Sequence, residues 1–316
     1  MDTFIFGANS MTMLLQNSPE LQRWLRSNLQ KCTTVVKLDA LASGIRKHRL
    51  DSTQMPLARA VLRHEAMIMT AVQISSARRG EHAALCADYF LMYCSGSEGI
   101  RRLILLGMLA DAGDESAMIV RAFDKRLSDP ADTAFWIASY VRRVQLLFLD
   151  KGCLETGYTK VILAALAKPV VYTVKGTALQ CGRRSGPTDD DINYCLNIMQ
   201  CWARLALATA KAEFPEFTVM YAMSVFKLSS RDFADRHSDH SIIAAGSADI
   251  DEKLATLASA FSLDAVELSN QYHDTREIAQ AMRLAGPVGD KDAWRNAVLR
   301  LAESCEFLRH RSPLLN

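Results

Sequence analysis

The six residues Asp235-Arg236-His237-Ser238-Asp239-His240 bring two imidazoles and two carboxylates close together in sequence. Divalent metals bind where His nitrogens and carboxylate oxygens converge, so Asp235, His237, Asp239 and His240 are the metal-ligand candidates. The stretch lacks the i, i+4 His pair that zinc hydrolases place on a helix, and no Cys stands beside it. A solvated loop is the plainer reading of the same composition. Asp189-Asp190-Asp191 also offers carboxylates that suit Mg²⁺. Adjacent helical residues point about 100° apart, however, so three in a row cannot close on one ion. Behind Thr188, a good N-cap, the run suits the positive end of a helix dipole better.

Phosphate chemistry has a second set of candidates. Neither G-x-x-x-x-G-K-[ST] nor G-x-G-x-x-G occurs, so no nucleotide cofactor is expected. Gly182-Arg183-Arg184-Ser185-Gly186 is basic and flanked by Gly, but it does not join a strand to a helix in the register of a nucleotide-binding loop. No nucleophile elbow or papain-type Cys segment is present either, and no catalytic residue is assigned. Arginines do recur as adjacent pairs: Arg78-Arg79, Arg101-Arg102, Arg142-Arg143 and Arg183-Arg184. Their planar forks suit phosphate, which makes these eight the nucleic-acid candidates. Residues 1–186 carry 24 basic and 16 acidic side chains, net +8, and residues 187–316 carry 13 and 19, net −6. The overall +2 therefore hides a basic first half. The competing explanation is that the pairs lie on solvated faces or bridge to the acidic half.

The elements that must position these residues are mainly helices. Ser18-Pro19-Glu20 has the form of a helix start, Pro56 is expected to open a long helix ending at Gly80, and Glu81–Cys94 gives another. The next is expected over Glu98 to about Leu109, with Asp114 and Asp129-Pro130 punctuating two more. Ile137, Tyr140, Val141, Val144 and Leu147 follow the spacing of a buried stripe. Residues 169–181 break the pattern: Val170, Tyr172 and Val174 alternate on one side of a short β-branched run, with Thr177–Cys181 as its hairpin partner. The expected fold is therefore mainly α, a multi-helix bundle with one small β-ribbon around residues 169–181. Four regions follow: 1–110, helical and net basic; 111–228, helical with the ribbon; a loop at 229–247; and C-terminal helices over 248–316.

Composition narrows the function classes. With 49% hydrophobic and 23% charged residues, the chain can build a core and is not a disordered tail. The first residues lack a basic, apolar leader and no apolar run approaches about 20 residues, so an intracellular, cytoplasmic or nuclear, protein without a membrane partner is expected. The eight Cys include no C-x-x-C and fall mostly inside apolar helical patterns, as reduced core thiols do. His64 lies near a helix face and reads as a satisfied, partly buried residue rather than a base.

From Met108 onward the order of features resembles a known family. It runs through MLADAGDESAMIVRAFDKRLSDPAD, VQLLFLDKGCLETGYTK, the ribbon PVVYTVKG, CWARLALATAKAEFP, FTVMYAMSVFKL and KDAWRNAV around Trp294. This order, over roughly residues 100–316, resembles the helical region of hAT-like DNA transposases and proteins derived from them. The resemblance implies descent from a family with an RNase-H-like core carrying two Asp and one Glu, an N-terminal zinc finger and a C-terminal dimerisation segment. Met1–Leu50 has no C-x-x-C with paired His, and Asp51-Ser52-Thr53-Gln54 does not fit the family's Asp-centred spacing. The chain reaches Asn316 before the family's Glu would be expected, so no catalytic residue carries over. The expectation is a partial, non-catalytic, transposase-derived helical protein that binds a macromolecular partner, nucleic acid through its basic first half. A protein–protein scaffold is the alternative, and a metal-dependent enzyme using Asp235–His240 is the least favoured.

Overall fold

A computed structural model of the chain describes residues 10–32, 51–78, 80–123, 130–214, 217–226 and 240–273, without the side chains of 51–53, 130–132 and 240–248. The fold is mainly α with one two-stranded antiparallel ribbon, as the sequence predicts. The helices are α1 (Met11–Asn17), α2 (Pro19–Lys31), α3 (Asp51–Ala77), α4 (His82–Tyr93), α5 (Gly96–Phe123), α6 (Pro130–Val144) and α7 (Gly157–Leu166). After strands β1 (Val170–Val174) and β2 (Thr177–Cys181) come α8 (Asp189–Glu213), α9 (Phe217–Ala222), α10 (His240–Phe261) and α11, over residues 265–273. The chain forms two compact units: Met1–Asp124 with Ser139–Ala210, and Lys125–Ala138 with Lys211–Asn316.

In the first unit, α3 and α5 are the axis of the core. Val61, Ile68, Ala71 and Ile74 of α3 meet Ile100, Leu103, Ile104 and Met108 of α5, all at most 1% exposed. α7 lies so close to α5 that a Cβ on Gly107 would come within 3.0 Å of the Thr159 backbone. α1 and α2 are each capped at the start: the Ser10 hydroxyl accepts from the Met13 amide, and the Ser18 hydroxyl accepts from the Leu21 amide with Pro19 at the first helical position. The hairpin pairs Val170 with Cys181 through Val174 with Thr177, leaving Lys175 and Gly176 as a two-residue turn. Both have positive φ, 50° and 82°, as the turn matching strand twist requires. Tyr172 and Val174 point into the core, and the Tyr172 hydroxyl donates to the Leu91 carbonyl at 2.7 Å.

The second unit has its own apolar centre of Ala222, Val225, Leu254, Leu257, Ala258, Leu268 and Tyr272. Tyr272 donates its hydroxyl to the Val225 carbonyl at 2.9 Å. Ser262, at φ 56°, ends α10, and Asp264 starts α11 by accepting from the Glu267 amide at 2.8 Å.

Three boundaries differ from the sequence reading. α5 continues through Asp111 and Asp114 because both carboxylates find partners, so the division drawn between residues 110 and 111 falls inside one helix. Pro56 lies inside α3, which begins at Asp51. α10 begins at His240, within the stretch 229–247 expected as loop; residues 227–239 are outside the described residues.

Candidate functional site

Five of the eight paired arginines, Arg78, Arg101, Arg102, Arg143 and Arg183, form ion pairs with acids of the chain. Arg101 of α5 and Arg183, two residues beyond β2, converge on Asp191 in the first turn of α8. Arg101 Nε is 2.9 Å from Asp191 Oδ1, and Arg183 Nη1 is 3.1 Å from Oδ2. The Thr188 hydroxyl donates to Oδ2 at 2.8 Å, and Thr188 Oγ1 lies 3.3 Å from the Asp191 amide that it accepts. Arg183 also donates to Ser97 Oγ at 2.8 Å, and Arg101 stacks over the Tyr194 ring at 4.7 Å. The Asp191 side chain is 3% exposed. Burial is the largest single influence and pushes its pKa up. Hydrogen bonds from Thr188 and Arg101, with the charge of Arg183, together hold it below the ordinary aspartate value. This hub ties α5, the loop after the ribbon and α8 together. The Asp189–Asp191 run is therefore neither a metal cradle nor only dipole decoration.

The other pairs are partly spent in the same way. Arg78 bonds Glu20 of α2 and Glu81, and its guanidinium lies 5.9 Å from the Trp24 ring. Arg102 donates to the Tyr93 carbonyl at 3.2 Å, covers the Tyr93 ring at 4.3 Å and reaches Glu98. Arg143 Nε stands 2.8 Å from Glu115 Oε2. Arg142 and Arg184 are exposed and make no ion pair among the described residues, and Arg79 lies outside them.

Around the Arg143–Glu115 pair is a cleft of about 390 Å³ whose lining includes Asp111, Asp114, Glu115, Arg143 and Tyr158. Sequence inspection missed it, although Asp111, Asp114 and Glu115 stand at i, i+3 and i+4 on α5 and must share a face. Asp111 and Asp114 accept hydrogen bonds, and Glu115 Oε2 is buried with Arg143 as its ion-pair partner. Asp111 accepts from the Tyr158 amide at 2.7 Å, the Thr159 amide at 3.0 Å and the Thr159 hydroxyl at 2.6 Å, so it caps the N-terminus of α7 from another helix. Gly157 at φ 71° makes room for it: a Cβ there would lie 2.2 Å from Asp111 Oδ1. Asp114 accepts from Gln54 Nε2. Burial raises the pKa of both Asp111 and Glu115, against the hydrogen bonds from Thr159 and Tyr158 in the first case and from Arg143 in the second. Such an arrangement ties α5 to α3, α6 and α7.

No family model, curated protein or solved structure matches the chain. Among the described residues no group of three or more His, Cys, Asp or Glu could hold a metal ion. Asp235, His237 and Asp239 lie outside the described residues, and the side chain of His240 is likewise outside them, though its backbone opens α10. Cys94, Cys153, Cys181 and Cys195 are buried and unbridged. Burial pushes the thiols of Cys153, Cys181 and Cys195 up to about 12, and that of Cys94 well above its ordinary value, so they stand as protonated core groups rather than nucleophiles. His64 is buried with Nδ1 2.8 Å from the Val61 carbonyl, and burial lowers its pKa. No described helix is long and apolar enough to cross a membrane.

One stretch of the described surface is apolar. α4 is largely apolar: Ala84, Cys86, Ala87, Phe90 and Leu91 face the core, with the buried Asp88 among them accepting from the Ser75 hydroxyl. Leu85, Tyr89 and Met92, at i, i+4 and i+7, face outward with exposures of 44%, 68% and 54%. The sequence carries the signal for this row in its spacing, but a helix apolar on both sides reads simply as buried.

Proposed function

We propose that the chain is a non-catalytic helical protein that acts by docking a partner protein, and that α4 is its docking helix. The outward row Leu85, Tyr89 and Met92 carries this reading. A helix apolar on both faces is ordinarily enclosed on both, and i, i+4, i+7 anchors are what an amphipathic partner helix engages. Partner-free solvation of that row leaves large side chains in water at a cost of about 25 cal/mol per Å² of apolar surface. Descent from hAT-like transposases rests on the feature order of residues 100–316 and belongs to this proposal. The fate of the arginine pairs supports a protein partner over a polyanion, because Arg78, Arg101, Arg102, Arg143 and Arg183 are bound to groups of the chain itself.

The test places a photo-crosslinking amino acid at Tyr89 in cells. Crosslinking to one discrete polypeptide, insensitive to nuclease and abolished by Leu85→Asp with Met92→Asp, is expected. Alongside it, duplex DNA is offered to the purified protein at low salt. DNA retention that falls steeply with salt, together with no discrete crosslink, would overturn the reading in favour of nucleic acid.

A further inference from the structure

His64 of α3 is 7% exposed, yet only one of its ring nitrogens is spent inside the chain. Nδ1 lies 2.8 Å from the Val61 carbonyl. A carbonyl can only accept, so Nδ1 carries the proton, and burial keeps the ring neutral by lowering its pKa. Nε2 is then a lone-pair acceptor. It has no partner among the described residues, and it is not sealed in the core. Buried polar atoms are ordinarily paired, so an open acceptor on so buried a side chain calls for a donor from outside the chain.

The opening is a cavity of about 280 Å³ between α2, α3, α7 and the ribbon, with His64 in its lining. Its walls are apolar, from Val61, Ala66 and Ile68 of α3 to Val161 and Leu166 of α7 and Val170 of β1. An apolar cavity of about 150 Å³ already takes benzene, so this one has room for a fused pair of rings. Two charged residues reach the lining, the half-buried Glu65 and the exposed Lys168. Their charges are opposite, so an anionic ligand is opposed by Glu65 and a cationic one by Lys168. The two thiols of the lining add no charge, since burial raises Cys32 above its ordinary value and pushes Cys181 up to about 12. Apolar walls with one well-placed polar group are the usual form of a small-molecule site, and here that group takes a proton donor.

We infer that this cavity binds a small, neutral, mainly apolar molecule carrying a hydroxyl group, which donates to His64 Nε2 while the apolar body fills the walls. The inference is independent of the docking role of α4, since no residue of that helix lines the cavity. Isothermal titration calorimetry with 2-naphthol, and with naphthalene as the same body without the hydroxyl, tests it on the whole chain. Saturable, one-site binding of 2-naphthol in the micromolar range is expected, with naphthalene about tenfold weaker for want of the hydrogen bond. His64→Leu should bring 2-naphthol down to the affinity of naphthalene and leave naphthalene unchanged. Ala165→Phe, which fills the cavity from α7, should abolish binding of both while the helical circular dichroism is unchanged. The comparison of the two ligands on the wild-type chain stands even where a variant fails to fold. No saturable binding of 2-naphthol, equal affinity for the two ligands, or undiminished binding to a folded Ala165→Phe chain overturns the inference.

Discussion

At the scale of single residues, Asp191 is where sequence and structure diverge most usefully. Its place after Thr188 marks a helix start, and that much is legible from the N-cap pattern. Its two arginine partners are not legible. Arg101 lies 90 positions away, and no spacing rule links an acid on one helix to a fork on another. The four arginine pairs suggest a basic surface only while their partners are unknown. Because the folded state holds Asp191 below the ordinary value of 3.8, its stabilisation is present above that pH and is lost as pH falls through the folded value. Asp191→Asn should cost about 2 kcal/mol at neutral pH, the worth of hydrogen bonds to a charged group. The difference from wild type should shrink in acid. Urea denaturation at neutral pH and again below 3.8 measures both, and an equal cost at the two pH values would show that the charge of Asp191 is not what matters.

At the scale of elements, the ribbon was legible because its turn chemistry is local: Val-Lys-Gly-Thr between β-branched runs specifies a two-residue hairpin turn without help from the rest of the chain. The continuity of α5 was not. Asp111-Ala112-Gly113-Asp114 reads as a break by propensity, yet the helix passes through because Asp111 is drawn off to cap α7 and Asp114 to Gln54. Tertiary partners thus overrode a local signal. α7 depends on the same arrangement, since the side chain of its own N-cap, Thr156, accepts from none of its amides. Asp111→Ala should therefore cost about 1–2 kcal/mol, as loss of an N-cap does, and speed exchange at the Tyr158 and Thr159 amides. Hydrogen-exchange mass spectrometry over residues 157–166 checks this. Unchanged protection there would mean that burial of Thr159, Ile162 and Leu166 alone holds the helix.

At the scale of the molecule, near-neutral charge conceals a basic first half, five of whose paired arginines are joined to acids of the chain itself. The two units also differ in how they are held. The first has a continuous core from Met11 to Ala203 that joins α1–α5, α7, α8 and the ribbon, reinforced by the Asp191 hub and the Asp111 cap. The second, among the described residues, is held by a cluster from Ala222 to Tyr272 with one buried hydroxyl bond and surface ion pairs such as Lys253–Asp249. Exposed pairs of that kind contribute little, and a small core buries a smaller share of its surface. The division between 1–110 and 111–228 could not anticipate this, because the units are interleaved in sequence and interleaving leaves no composition shift to read. Opening should accordingly be sub-global, with the amides of α10 and the helix over 265–273 exchanging at lower free energy than those of α3 and α5. Native-state exchange with rising urea is the measurement. Two sets of amides with distinct denaturant dependence are expected, the α3–α5 set converging on global unfolding. If all protected amides instead merge into one isotherm at the lowest urea, the two cores unfold as one and the smaller cluster owes its stability to the larger.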